Sequence, residues 1–203
     1  MLDVEVIQEP AAAVVALEPL RGRLLAELKQ PASAAGLAAR LSLPRQKVNY
    51  HLRALEAHGL VRVAEQRTWG GLTERLLVAT AGSYVVSPGA LGPVAAEPER
   101  AVDRLSAGYL IALAARAVRE VGELVRRATD AGKRLATISI DTSIRFRSAD
   151  ERTAFSRELA GAVAQLASRY HDESAPKGRT HRLIVLAHPE PKPNPPRSSE
   201  EPA

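Results

Sequence analysis

The sequence predicts an α+β protein built from two small units, and three observations support this fold class. Apolar residues recur at helical spacing through the first 60 residues, strand-like alternation follows on both sides of Gly70-Gly71, and a Pro- and Gly-rich stretch divides the chain. Aromatic residues make up only 3% of the chain, so the core must consist mainly of Ala, Leu and Val, which favours helices. The expected boundaries are a first unit at 1–88, a linker at 89–99, a second unit at 100–190 and a disordered tail at 191–203.

The first unit is predicted to contain three helices and then a hairpin. The stretch EPLRGRLLAELKQ places four leucines on one helix face, and Pro31 ends it. Ser33 can cap a short helix, SAAGLAARL, and Pro44 suits the start of a third helix over residues 44–58, which Gly59 ends. The segments LVRVAEQRTW and LTERLLVA then alternate as two strands, which predicts a hairpin over residues 60–80.

The third predicted helix has two distinct faces. At 100° per residue, Val48, Leu52 and Leu55 share the core side. The opposite side carries donors suited to base edges or phosphates and no carboxylate: Gln46, Asn49, Tyr50 and Arg53, flanked by Arg45 and Lys47. An ordinary solvated helix face is the alternative interpretation. However, a short helix, a tight turn, a donor-rich helix and a basic hairpin together predict a winged helix-turn-helix.

The hairpin tip is expected to act as the wing. Arg67 and Thr68 can reach the DNA backbone or the minor groove beside the third helix. Trp69 can do the same, but because tryptophan is commonly mostly buried, we expect it to pack under the hairpin.

These segments, above all YHLRALEAHGLV, resemble the DNA-binding core of ArsR-type winged-helix transcriptional regulators over about Leu17 to Val86. The resemblance implies a dimeric bacterial repressor that reads a palindromic operator in double-stranded DNA. By position, it implies DNA contacts for a set of residues on the helices and the wing: Ser33, Arg45, Gln46, Lys47, Asn49, Tyr50, Arg53, Arg67 and Thr68.

Two features depart from that family. Ser42 stands where the turn often has Gly, and the chain has no cysteine, which excludes thiolate metal sensing. The remaining candidate ligands, His171, His181 and His188, lack a tight metal-binding spacing. We therefore expect no metal and no cofactor, and we expect His51, beside the core face of the third helix, to be structural.

The second unit is predicted to have the order α-β-α-β. Its first helix, about 100–134, carries a seam with heptad-like spacing, which either pairs two copies of the chain or packs on the unit's own sheet: Leu110, Ala114, Ala117, Val121, Leu124 and Ala128. ATISIDTSIRFRS and HRLIVLAH are predicted strands, with a helix capped by Ser148 between them. We expect this unit to serve dimerisation and to offer a site for a small-molecule or protein effector of unknown identity.

Composition limits the function classes. The net charge of +5 is a mild bias towards anionic partners. The chain has no GxSxG, phosphate-binding glycine loop or HExxH motif, so we expect no enzyme and no catalytic residues. No signal peptide or membrane span is evident, which predicts a cytoplasmic protein. The function predicted is therefore sequence-specific transcriptional regulation by a dimeric repressor, and the alternative is a non-specific DNA-binding or protein-docking winged-helix protein without effector control.

Overall fold

The computed structural model describes residues 1–69 and 72–192. Its chain divides into two compact units, Met1–Leu135 and Ala136–Ala203. The first unit contains, in order, β1 (Leu2–Ile7), α1 (Pro10–Ala16), α2 (Pro19–Glu27), β2 (Ala32–Ser33), α3 (Ala34–Leu41), α4 (Arg45–Ala57), β3 (Val61–Trp69), β4 (Leu72–Ala79), β5 (Ala81–Val86), two 3-10 turns (Pro88–Val94 and Pro98–Arg100) and α5 (Ala107–Asp130). The second unit contains α6 (Ala149–Tyr170). Among the described residues, no helix is both long enough and apolar enough to cross a membrane.

Three helices of the first unit, α2, α3 and α4, pack around one leucine-rich core. Leu24, Leu37, Val48 and Leu55 are each completely shielded from solvent, and Leu52 is nearly so. Apart from Leu37, these are positions that the apolar spacing assigned to core faces. Truncating one such leucine to alanine typically costs about 2–5 kcal/mol, so this cluster dominates the stability of the domain.

The turn between α3 and α4 has the geometry of a helix-turn-helix. Ser33 caps α3 as predicted, because its Oγ accepts a hydrogen bond of 3.2 Å from the N–H of Gly36. At the other end, Ser42 lies in the left-handed region (φ 53°, ψ 47°), and the N–H of Leu43 donates to the carbonyl of Ala38 at 3.0 Å. Ser42 therefore occupies a conformation that glycine adopts more readily, which explains why related turns often have glycine there.

The predicted hairpin is present as β3 and β4, which pair antiparallel. The short strand β2 joins β4 on its other edge, giving the order β2-β4-β3. The β3–β4 register shifts between Val63 and Glu65, which marks a bulge at Ala64. The Gly70-Gly71 turn and the expected packing of the Trp69 side chain lie outside the described residues.

A second, two-stranded sheet was not predicted from the sequence. β1 at the N-terminus pairs in parallel with β5, with Val4 opposite Ser83 and Val6 opposite Val85. Tyr84 ties this sheet to the end of α4, because its hydroxyl donates to the carbonyl of Leu60 at 2.7 Å and accepts from the N–H of Thr80 at 3.1 Å.

The segment expected to be a linker, 89–99, is instead ordered and packed. It forms most of the two 3-10 turns, Ala95 and Pro98 are buried, and α5 packs on both turns and on β1. Ion pairs reinforce this packing, with Arg119 Nη2 at 3.2 Å from Glu97 Oε2 and Arg116 paired with Glu99. The stretch 89–99 is Pro- and Gly-rich, but its small apolar residues are buried, so it does not separate the two units. The first unit instead extends through α5 to Leu135.

Helix α5 presents opposite faces to the domain and to solvent. Ala112, Ala115 and Gly122 are its buried residues. On a helical wheel, the centre of the seam lies about 150° away from the centre of these buried residues. Seam residues Val121 and Leu124 are 44% and 45% exposed. Most of the seam therefore lies off the surface by which α5 packs on the first unit, and Val121 lies next to β1.

The second unit differs from the predicted α-β-α-β order. Helix α6 begins as predicted, because the N–H of Glu151 donates to Ser148 Oγ at 3.1 Å. In contrast, residues 136–147 and 181–188, predicted to be strands, are not strands in the described structure. No residue between 136 and 192 is buried, and Ile138 and Ile140 are 85% and 87% exposed. The alternation is present in the sequence, but a strand also needs a hydrogen-bonded neighbour, and these segments form no ladder.

The contact between α5 and β1 gives a stability prediction. A Cβ atom at Gly122 would lie 2.6 Å from Val6 Cβ, so Gly122→Ala forces helix and strand apart. We expect a loss of about 1–3 kcal/mol in the free energy of unfolding, measured by urea denaturation. Gly22→Ala in α2 is the matched control, since nothing lies within 4 Å of its added Cβ. The control should gain about 0.5–1 kcal/mol, and equal effects of the two changes would contradict the close contact.

Candidate nucleic-acid interface

The exposed face of α4 is the face that the sequence assigned to DNA. Val48, His51, Leu52 and Leu55 are its buried residues, and they occupy one side of the helix. The predicted contact residues of this helix are all exposed: Arg45, Gln46, Lys47, Asn49, Tyr50 and Arg53. Burial of one side therefore aims all six polar side chains away from the core.

One of these residues, Tyr50, contacts a buried neighbour on the core side of the helix. Tyr50, which is 65% exposed, packs edge-on against His51, with ring centroids 5.3 Å apart. His51 is buried, and its Nδ1 lies 3.6 Å from Glu18 Oε2. Partial burial raises the pKa of Glu18, but hydrogen bonds from the N–H groups of Arg21 and Leu20 and the nearby His51 outweigh it, so the net pKa is lowered. His51 thus packs α4 against the start of α2, in line with the structural role expected for it.

A polar cleft of about 230 Å³ brings together elements that are distant in sequence. Its walls are the start of α3, one side of α4 and the adjoining part of β4. Four of the residues predicted to contact DNA line this cleft: Ser33, Arg45, Asn49 and Arg53. Two guanidinium groups beside a helix N-terminus form a surface suited to a backbone phosphate next to the base-reading stripe.

One member of this surface, Arg75 on β4, was missed from the sequence. Its guanidinium pairs with the carboxylate of Glu56 near the end of α4, and both residues line the cleft. This ion pair joins the wing to α4 and compensates the only carboxylate that α4 places at the cleft. The opposite charges of Glu56 and Arg75 were visible in the sequence, but their proximity depends on the β3–β4 register.

The wing carries a second compensated arginine. Arg67 donates to the carboxylate of Glu65 through Nε at 2.8 Å and Nη2 at 2.9 Å. These hydrogen bonds lower the pKa of Glu65 and raise that of Arg67. Both side chains are exposed, and Thr68 Oγ1 lies 3.5 Å from Thr73 Oγ1 across the hairpin. Arg67 and Thr68 are therefore accessible on the wing, but the charge of Arg67 is not free for a phosphate until Glu65 releases it.

A comparison with protein families matches part of the first unit. Residues 16–64 match the family described as Helix-turn-helix domain, and this range covers α2, α3, α4 and the start of β3. No curated protein matches the chain at a significant level. Among solved structures, the transcriptional regulator HlyU from Vibrio vulnificus CMCP6 is similar at 22% identity and a TM-score of 0.29, over 36% of this chain and 71% of that one. The family match and the observed fold support a helix-turn-helix domain with a wing in this part of the chain.

The Glu65–Arg67 pair gives a prediction for the wing. Replacing Glu65 with Gln removes the compensating charge, so Arg67 can contact phosphate. We expect roughly threefold tighter DNA binding at low salt, and a salt slope steeper by about one phosphate contact, measured by fluorescence anisotropy. Glu158→Gln, the same charge change at an exposed position on α6, is the control. If both variants bind alike, the gain reflects overall charge and Arg67 is not a wing contact.

Proposed function

We propose that the protein is a DNA-binding transcriptional regulator of the ArsR type that acts as a dimeric repressor at a palindromic operator. In this proposal α4 enters the major groove, the β3–β4 wing contacts the adjacent backbone, and the protein carries out no catalytic step. The helix-turn-helix family match over residues 16–64 supports the DNA-binding part of the proposal.

One observation carries the proposal most directly, the uninterrupted donor-rich stripe on the exposed side of α4. A solvated helix face usually mixes both signs of charge. Here Glu56, the only carboxylate of α4, is paired with Arg75 on β4, and the other carboxylate at the cleft, Glu74, belongs to β4 rather than to the stripe. Asn49 and Gln46 supply the amide groups that read adenine, and the arginines supply phosphate or guanine contacts.

Two features support a dimer. Most of the α5 seam lies on the side away from the buried residues of the helix, where Leu124 is 45% exposed, whereas Val121 lies next to β1. In addition, the second unit has many exposed apolar side chains and no buried residue between 136 and 192, which is unusual for an independently stable unit. A second copy that packs on either surface would bury apolar area there. A dimer would also supply the two α4 helices that two half-sites of a palindromic operator require.

The primary experiment compares binding to DNA upstream of the protein's own gene with binding to a scrambled sequence, across a salt series. A regulator should prefer the upstream DNA by at least about 10³-fold at physiological salt. Equal affinity at every salt concentration would instead favour the alternative function, non-specific DNA binding through the basic groups alone.

Single substitutions on α4 separate base reading from backbone contact. Asn49→Ala should reduce the preference for the operator by about 1–3 kcal/mol while leaving affinity for scrambled DNA nearly unchanged. Arg53→Ala should weaken binding to both sequences and flatten the salt dependence. Arg157→Ala on α6 is the control for charge loss at an exposed site. If Asn49→Ala reduces both affinities equally, Asn49 does not read a base.

The dimer is tested on the α5 seam. Leu124→Glu places a charge where we propose that a second copy packs, so it should raise the dimer dissociation constant by at least tenfold, measured by sedimentation equilibrium. Leu124→Met keeps an apolar side chain of similar volume and should leave the constant within about threefold of the original value. If Leu124→Glu leaves the dimer dissociation constant unchanged, the dimer interface does not include this seam.

A further inference from the structure

A second cavity, separate from the DNA-facing cleft, lies between the β1–β5 sheet and helix α5. Its volume is about 240 Å³, and it is bounded by β1, the start of α1, the residues just after α4 and one side of α5. Eight apolar side chains line the cavity: Leu2, Val4, Val6, Ile7, Ala12, Leu60, Val121 and Val125. An apolar cavity of about 150 Å³ can hold benzene, so this one has room for a somewhat larger molecule.

The cavity is open to solvent on one side and closed on another. Val4 on β1 and Val121 on α5 both line the cavity and are 45% and 44% exposed, so the cavity is open to solvent at these side chains. Gly122 and Val6, which also line the cavity, are in such close contact that there is no room for a Cβ at Gly122. Helix and strand therefore hold each other at one end of a preformed apolar site.

The polar groups of the cavity favour a positive charge. Glu5 contributes a half-buried carboxylate whose Oε2 accepts from Thr80 Oγ1 at 2.8 Å. Glu9 contributes a second carboxylate, which has no ion pair or hydrogen bond to its side chain within the described residues. Arg126, the guanidinium on the cavity wall, is paired with Glu123, which also pairs with Arg127. A bound molecule therefore meets one free carboxylate, one carboxylate with remaining acceptor capacity and no unpaired arginine.

We propose that this cavity binds a small amphipathic cation, with its apolar body between the valine and leucine side chains and its ammonium group at Glu5 and Glu9. His58 and Leu60, directly after α4, also line the cavity, as do residues of α5. The ligand therefore contacts both the end of the proposed DNA-reading helix and the helix that carries the proposed dimer seam. Its effect on DNA binding rests on the proposed function, whereas the binding itself does not.

The test uses three probes of similar size: benzylamine, the neutral benzyl alcohol and the anionic benzoate. Each is titrated into the full-length protein and followed by NMR shifts of the β1 and α5 amides. Benzylamine should bind with a millimolar dissociation constant, at least fivefold tighter than benzyl alcohol, and benzoate should bind most weakly. Equal affinity for the three probes, or shifts scattered over the whole chain, would overturn the proposal.

Two variants locate the site. Glu9→Gln should weaken benzylamine binding about fivefold and leave benzyl alcohol unchanged, because it removes the charge and keeps the shape. Val125→Phe should weaken both probes by filling the cavity. Arg157→Ala is the control, and it should leave all affinities unchanged. If Glu9→Gln weakens both probes equally, or neither, the carboxylate does not recognise an ammonium group and the proposal fails.

The regulatory consequence is tested separately. Saturating benzylamine should change the affinity for upstream DNA at least threefold in the original protein and not in Glu9→Gln. If benzylamine binds as expected but the protein does not prefer its upstream DNA, the proposed ligand site is supported and the proposed function is wrong. If the DNA preference is present but benzylamine does not bind, only the cavity proposal fails. If the protein binds benzylamine and prefers its upstream DNA, but benzylamine does not change the DNA affinity, the link between this site and α4 is wrong.

Discussion

The burial of one side of α4 is the constraint on which the DNA-facing surface depends. Val48, Leu52 and Leu55 are removed from solvent, and each would cost a few kcal/mol to expose, so the helix cannot rotate about its axis without losing much of the domain's stability. Because the helical period is fixed, this same packing determines the direction of Asn49 and Arg53. The orientation of the polar stripe is therefore determined by the apolar core rather than by the polar residues themselves.

Charge compensation then decides which of the basic groups are available. Arg75 is held by Glu56 and Arg67 by Glu65, so two arginines near the proposed interface are neutralised within the protein. Both pairs are partly exposed and therefore weak in water, which means that phosphate can compete for the arginines at little cost. Arg53, in contrast, has no such partner within the described residues. Arg53 is therefore available for DNA at once, whereas Arg67 and Arg75 must first exchange a carboxylate partner for a phosphate.

Local patterns in the sequence predicted α4, the α3 cap at Ser33 and the β3–β4 hairpin, because each depends on neighbours within a few residues. The parallel pairing of β1 with β5 joins segments about 80 residues apart, and nothing in MLDVEVI alone specifies its partner. Periodicity also could not predict the packing of 89–99 or the absence of strands at 136–147 and 181–188. Alternating isoleucines show that a segment can form a half-buried strand, but the strand exists only where another backbone pairs with it.

The connection between α4 and α5 follows from one tyrosine. The hydroxyl of Tyr84 donates to the carbonyl of Leu60 at 2.7 Å, so the chain leaving α4 is fixed to β5. β5 pairs with β1, and β1 contacts α5 so closely at Val6 that only glycine fits at 122. Each step in this path is a hydrogen bond or a close packing contact between ordered elements, so a displacement of α5 relative to β1 must either break one of them or move the end of α4. In a dimer formed through the α5 seam, the same path would fix the angle between the two α4 helices, which is the quantity that a palindromic operator requires.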